Sequence, residues 1–485
     1  YEDRAVVANL VLYADLRGVT GAQRQQVFER LMAFTGLGPF TSRLAGALSG
    51  GMKQKLGLAC ALVQTPKLLL LDEPSVGVDP ISRRELWQMV LTLVDEGIGV
   101  VWSTAYLDEA EQCASVLLLS EGKLLYQGPP HDLTESLEGR TYLVRGLKAD
   151  RRGVLTRALQ QPGVIDGVIQ GRSVRLVVSK DGLPPDASKI GTVSAEIFAT
   201  PPRFEDAFMD LLGGGPKGGS PFAAQEPKQN WNPHDIVVEA RHLTRRFGDF
   251  TAVNNIDFGV RRGEIFGLIG PNGAGKSTTF KMLCGLLKPT SGTASVAGVD
   301  LIRSAGKARA RLGYMAQKFS LYGDLSVAQN LAFFAGVYGL GGRRQREAIA
   351  TVVETFALQP YLGSNAIALP LGFKQRLALA CAVMHKPDVL FLDEPTSGVD
   401  PRTRREFWIH VNAMVSTGVT VLVTTHFLDE AEYCDRIALV FSANVIAEGT
   451  PDALKEQVRT PDLLEPTLEE AFIALVEASG QKAAA

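Results

Sequence analysis

Residues 270–278 read GPNGAGKST. The spacing Gly270-x4-Gly275-Lys276-Ser277 suits one kind of chemistry, the holding of phosphate groups. Glycine at Gly270, Gly273 and Gly275, with the small Ala274 and the turn formers Pro271 and Asn272, lets the backbone wrap an anion with its amide N–H groups pointing inward. The helix expected to start at Lys276 adds its partial positive charge, with Thr278 in its first turn. Lys276 reaches the β- and γ-phosphates, and Ser277 offers a hydroxyl to Mg²⁺. The apolar run Ile265–Ile269 just before it reads as the strand that delivers the loop.

Further downstream, VLFLDEP (389–395) is a buried strand ending in two carboxylates. Beside a phosphate site, Asp393 would hold Mg²⁺, through water, and Glu394 would act as general base toward an attacking water. His426 follows another apolar strand in VLVTTHF, where it can meet a phosphate or orient the water. Gln317 can touch Mg²⁺ or water, and Phe247 can stack on a base; each also fits an ordinary structural role.

These residues need a parallel sheet to bring them together, and the chain has length for it. Its 485 residues are 46% apolar and carry a formal net charge of −2, which argues against a coat for nucleic acid or membrane. No apolar run approaches the ~18–20 residues of a membrane span. Residues 48–87 align with 369–408 at a shift of 321 without a gap, and 23 of 40 positions are identical. The same shift pairs Cys60 with Cys381 and Cys113 with Cys434, so the cysteines, with Cys284, read as inherited core residues of a reducing compartment. A repeat this long is a duplicated domain.

The reading divides the chain at 1–113 (first copy), 114–212 (a small αβ accessory region), 213–235 (a Gly/Pro-rich flexible linker with little to bury), 236–445 (second copy) and 446–485 (a helical tail). The first copy has no counterpart of about 236–321, so the chain reads as a fragment whose first domain has lost its N-terminal part, with apolar surface left open. PRFEDAFMDLL (202–212) and PTLEEAFIALV (466–476) read as matching closing helices.

The order aromatic, P-loop, Gln, signature, Asp-Glu, SGVD loop and His resembles the ABC ATPase family. The tandem layout is similar to ATP-binding subunits of bacterial exporters in the multidrug-efflux group. The fold class implied is α/β, two P-loop NTPase domains in tandem with the first incomplete. The resemblance implies ATP and Mg²⁺ as ligands, with Ser277, Gln317 and Asp393 toward the metal, and Lys276, Gln317, Glu394 and His426 in catalysis. It implies an internal pseudo-dimer in which Ser49, Gly50 and Gly51 of LSGGMKQ clamp the ATP held by the second copy's P-loop. The opposite pairing is spoiled: LPLGFKQ puts Pro370 and Leu371 before Gly372, and Ala105 stands where His426 does, although Asp72 and Glu73 remain. Pro370 has neither hydroxyl nor N–H to give. One hydrolytic and one degenerate site are therefore expected. Separate permeases, no nucleic acid, and a seat on the cytoplasmic face of the inner membrane, reached only through those permeases, complete the expectation. A tandem ABC protein acting on ribosomes, or a sugar-importer ATPase, are the alternatives; a Gly/Pro-rich linker and one broken signature count against the first.

Overall fold

Ile265–Ile269 has no polar side chain, and a strand of that kind is stable only between two others with both faces covered. The computed structural model describes the whole chain except residues 148, 149, 192–194, 217, 218, 225–231, 233, 318, 319, 462 and 485. The chain divides into two compact units, Tyr1–Ala105 with Gly270–Gly273, and the remainder.

The first unit holds helices α1 (Val6–Leu16), α2 (Gly21–Thr35), α3 (Gly50–Ala61) and α4 (Pro80–Asp95), and strands β1 (Leu68–Asp72) and β2 (Gly99–Ser103). The two strands pair in parallel. Leu10, Leu31, Leu56, Leu69, Leu86 and Val90 are among its buried core. Leu68, Leu70 and Val101 are exposed on the strands.

In the second unit come α5 (Leu107–Glu111), β3 (Val116–Ser120), β4 (Lys123–Gly128) and α6 (Pro130–Glu135). Next are β5 (Thr141–Arg145), α7 (Arg151–Leu159), β6 (Val164–Gln170), β7 (Ser173–Val178), β8 (Glu196–Ala199) and α8 (Phe204–Leu211). The second copy opens with β9 (Ile236–Phe247), β10 (Phe250–Arg261), β11 (Ile265–Ile269), α9 (Lys276–Leu283), β12 (Ser291–Val296), β13 (Val299–Asp300), α10 (Leu301–Arg309) and β14 (Leu312–Met315). A helical layer follows, α11 (Val327–Val337), α12 (Gly342–Thr355) and α13 (Leu371–Val383). Then come β15 (Val389–Asp393), α14 (Pro401–Ser416), β16 (Thr420–Thr425), α15 (Leu428–Ala431), β17 (Arg436–Phe441), β18 (Asn444–Gly449), α16 (Pro451–Glu456) and α17 (Leu468–Ala484).

Six strands form the central sheet in the order β14-β15-β16-β11-β17-β18. All neighbours are parallel except β17 and β18. β11 lies between β16 and β17 and is buried along its whole length. An antiparallel sheet, β10-β9-β12-β13, packs its apolar residues into the same core.

One expected boundary is corrected. β3, β4 and α6 lie 321 residues before β17, β18 and α16, so the repeat runs on to about residue 135 and does not stop at 113. Leu117-Leu118-Leu119 aligned with Ala438-Leu439-Val440 keeps the apolar character but only the middle identity, which hides the match. What is peculiar to the first half is the antiparallel sheet β6-β7-β5-β8 with α7. Its centre carries a buried ion pair: Arg175 Nε and a terminal nitrogen donate to Asp206 Oδ2 at 2.9 and 2.6 Å. Asp206 also accepts the Arg203 amide at 2.8 Å, closing the start of α8.

This sheet is tied to the second copy by arginines. Arg151 donates to the Tyr433 carbonyl at 3.0 Å and to Asp435 at 2.9 Å, and Arg152 to Asp435 at 2.5 Å. Arg405 of α14 is buried beside Asp166 and Glu205, at 3.1 and 3.3 Å. Part of the linker also has contacts. Gly215 donates its amide to the Ile165 carbonyl at 2.8 Å, and Phe222 is buried, so the segment expected to bury little buries a phenylalanine. The remaining linker positions 217, 218, 225–231 and 233 lie outside the described residues.

Asp206→Ala would leave Arg175 buried without its carboxylate. The expected cost is roughly 3–5 kcal/mol, read as an early thermal transition of this region. A loss below about 1 kcal/mol, the scale of an exposed pair, would mean that the pair is not holding the sheet.

Candidate active site

The C-terminal ends of β11, β15 and β16 lie side by side, because these strands are neighbours in parallel register. Loops leaving that edge are where an α/β sheet binds ligands. The P-loop leaves β11, Asp393 closes β15, and His426 follows β16.

Two glycines of the loop are obligatory. Gly273 and Gly275 have φ of +84° and +105°. A Cβ on Gly275 would sit 2.3 Å from the Ala252 carbonyl oxygen of β10. The sharp turn starts α9 at Lys276, which is buried. Ser277 Oγ donates to Asp393 Oδ1 at 3.2 Å, so the loop hydroxyl and the strand-end carboxylate share one point. The tip of the loop, Gly270–Gly273, belongs to the first compact unit, where Asn272 Nδ2 donates to the Gly77 carbonyl at 2.6 Å.

Asp393 and Glu394 are 2% and 3% exposed, far less than strand-end acids usually are. Burial pushes the Asp393 carboxyl above the usual carboxylate range, and the neighbouring Glu394 adds to it against the Thr424 and Ser277 hydroxyls and Lys276. Burial acts on Glu394 in the same sense, but His426, Lys276 and Gln317 outweigh it and hold this carboxyl below its ordinary value. Gln317 Nε2 donates to Glu394 Oε2 at 2.8 Å. His426 Nδ1 lies 3.2 Å from the same oxygen, outside hydrogen-bonding alignment. Its Nε2 is buried and has no hydrogen-bond partner among the described residues.

Glu394 has φ of +48°, a strained value for a residue with a side chain. The strain is held by its amide, which donates to the carbonyl and Oγ1 of Thr424 at 3.0 and 3.1 Å. Thr424 Oγ1 in turn donates to Asp393. Sequence reasoning missed Thr424; the signal was the Thr-Thr pair just before His426. It missed Glu430 as well, which accepts from Thr425 Oγ1 at 2.8 Å behind the His426 turn. Asp435 was also missed: it accepts the amide of Ile265 at 2.8 Å and so fixes the first residue of the P-loop strand. Phe247 is half-exposed, with the Arg245 guanidinium 4.5 Å above its ring.

The first copy keeps the same strand-end turn. Glu73 has φ of +47°, its amide donates to Ser103, and Ser103 Oγ donates to Asp72 at 2.6 Å. Ser49 caps α3 by accepting the Met52 amide at 3.3 Å. Added Cβ atoms would meet the Gly77 carbonyl oxygen at 2.6 Å from Gly50, and Ser82 at 2.5 Å from Gly51, so this helix start packs too closely for side chains. At the second copy's equivalent helix start, Pro370 offers no side-chain cap, and Leu371 is exposed beside Gly398.

Comparison with known proteins gives consistent matches. The ABC transporter family matches residues 3–76 and 253–397. The chain is 62% identical over 477 residues to the probable multidrug ABC transporter ATP-binding protein YbhF of Escherichia coli (strain K12), covering 98% of this chain and 82% of that protein. It is 41% identical over 229 residues to the Nod factor export ATP-binding protein I of Burkholderia orbicola (strain AU 1054), covering 47% of this chain and 75% of that one. A solved structure of an ATP binding subunit of an ABC transporter is 29% identical, covers 50% of this chain and 99% of its own, and has a TM-score of 0.46.

Gly275→Ala would set a methyl group against the Ala252 carbonyl and force a left-handed backbone on alanine, costing about 1–2 kcal/mol or more. Nucleotide affinity is expected to fall at least about tenfold, read by titration with a fluorescent ATP analogue. Unchanged affinity would show that the loop does not need this turn.

Proposed function

Because the chain belongs to the ABC transporter ATP-binding family, we propose that it energises a bacterial exporter of drugs or other small molecules through separate permease subunits. ATP binding and hydrolysis are the activity of that family. The observation that carries the reading is the meeting of Lys276, Ser277, Asp393, Glu394, Gln317 and His426 at one sheet edge.

Each residue has a task. The P-loop amides and Lys276 bind the phosphates. Glu394, kept ionised and aimed by Gln317, takes the proton of the attacking water. The unpartnered His426 Nε2 is within the same cluster, suited to the terminal phosphate. Hydrolysis of this kind is mainly positioning and charge stabilisation, so the strained turn at Glu394 is well spent on fixing the base. The residues also fit Mg²⁺: a hydroxyl and a carboxylate converge at 3.2 Å, and Asp393 is buried beside a second acid, a combination that favours a cation. Ser277 and Asp393, with Gln317, would hold the metal, which when bound neutralises phosphate charge.

In this reading Ser49, Gly50 and Gly51 complete the phosphate site of Lys276. The capped helix start and the glycines' tight packing support it. Pro370 and Leu371 leave the other pairing with no hydroxyl and extra bulk, so that site is degenerate. No helix among the described residues is long and apolar enough to cross a membrane. Contact with the membrane would run through the permeases, on its cytoplasmic face. The exposed Tyr322, Phe333 and Val337, beside Gln317 in sequence, are the apolar surface suited to receive them. The ribosomal alternative has no comparable feature in its favour.

Steady-state ATPase of this chain is expected to fall by roughly 10²–10⁴ in Glu394→Gln and to change little in Glu73→Gln. Equal losses would refute the single-site reading. A Ser49→Ala variant should retain nucleotide binding but lose most turnover; full activity would remove Ser49 from the site.

A further inference from the structure

Phe222 sits in the short turn Pro221–Ala224, between the accessory sheet and the second copy. Its ring centroid is 5.9 Å from Phe356 and 6.2 Å from His410, which are 5.0 Å from each other. The buried Ser220 fixes the approach: its Oγ lies 2.9 Å from His410 Nδ1 and accepts the Phe222 amide at 3.2 Å. Phe356 ends α12, whereas His410 lies on α14. Four residues before His410, Glu406 pairs with Arg376 of α13 at 2.6 Å. The turn therefore rests where α12, α13 and α14 meet. α13 is the helix that begins at the altered signature, and α14 begins seven residues after Glu394.

The duplicated scaffold supplies an internal control. At the shift of 321 the acid–base pair is kept as Lys55–Glu85, also at 2.6 Å. The two rings are not kept, because Thr35 and Met89 stand in place of Phe356 and His410. Scaffold packing thus needs the ion pair and not the rings. The rings occur in the copy that this segment precedes, and the segment covers them.

We propose that Ser220–Ala224 is an intramolecular strap. Phe222 packs onto the touching rings of Phe356 and His410 and locks the end of α12 against α14. A ring buried at that joint must leave its place, or move with both sides, before the helical layer shifts against the sheet. The strap thereby holds α14, the helix that follows Glu394, in one position and restrains ATP turnover. The restraint of turnover rests on the ATPase reading above; the docking does not.

Hydrogen exchange measured on the whole chain separates the two. In Phe222→Ala, peptides covering α12 and α14 should exchange about fivefold faster or more, with β11 and the accessory sheet unchanged. Basal ATP turnover should rise roughly fivefold, the low end of site-to-site coupling. Phe222→Leu, which returns an apolar side chain to that place, should restore most of both. Unchanged exchange in α12 and α14 overturns the docking, and unchanged or reduced turnover in a variant with faster exchange overturns the restraint. If Phe222→Ala does not fold, Ser220→Ala decides: a smaller increase in the same peptides supports the strap, and no increase overturns it. A wild-type chain without turnover would count against the ATPase reading, while the exchange comparison still decides the docking.

Discussion

Everything at the phosphate site depends on the burial of one short strand. β11 has hydrogen-bonded neighbours on both edges and no exposed residue, so it cannot shift without breaking the sheet. Its start is also held. Thr420 Oγ1 accepts the Gly263 amide at 3.0 Å, and Asp435 accepts the Ile265 amide at 2.8 Å. A loop that must present backbone amides to a multiply charged ligand gains from such a fixed base, because little reorganisation remains to be done when the charge arrives.

The accessory sheet uses the same anchor. Asp435 carries the Ile265 amide on one side and the Arg151 and Arg152 guanidiniums on the other. The arginines and Asp435 are largely buried, and Arg405 with Asp166 more so. Burying charge is costly, and the return on such pairs is unique geometry more than stability. Here the geometry concerns the element that holds the P-loop strand and the helix that follows Glu394.

Duplication makes the chemistry of the two copies comparable residue by residue. Both keep the left-handed turn at Glu73 and Glu394, tied to a hydroxyl on the next strand, so that turn belongs to the scaffold as well as to the reaction. Burial separates them. Asp393 and Glu394 are enclosed and their proton affinities are altered, while Asp72 and Glu73 are exposed. The signatures differ in the opposite sense: Ser49 caps its helix and Pro370 does not.

The sequence by itself determined the family chemistry. Phosphate wrapping needs glycine at fixed intervals followed by Lys276 and Ser277, and a base needs a carboxylate such as Glu394, so residue type and spacing suffice to name them. The repeat was legible for the same reason wherever function restricts side chains, as in LDEP and VDP. It faded after residue 113, where β3 and β4 need only apolar character, and many sequences satisfy that. The tertiary structure alone decided how Glu394 stays ionised, since this depends on His426, Lys276 and Gln317 arriving from segments far apart in the sequence. It alone revealed Thr424, Asp435 and the seat of Phe222, because a threonine, an aspartate or a phenylalanine gains such a role only from the neighbours that folding brings to it.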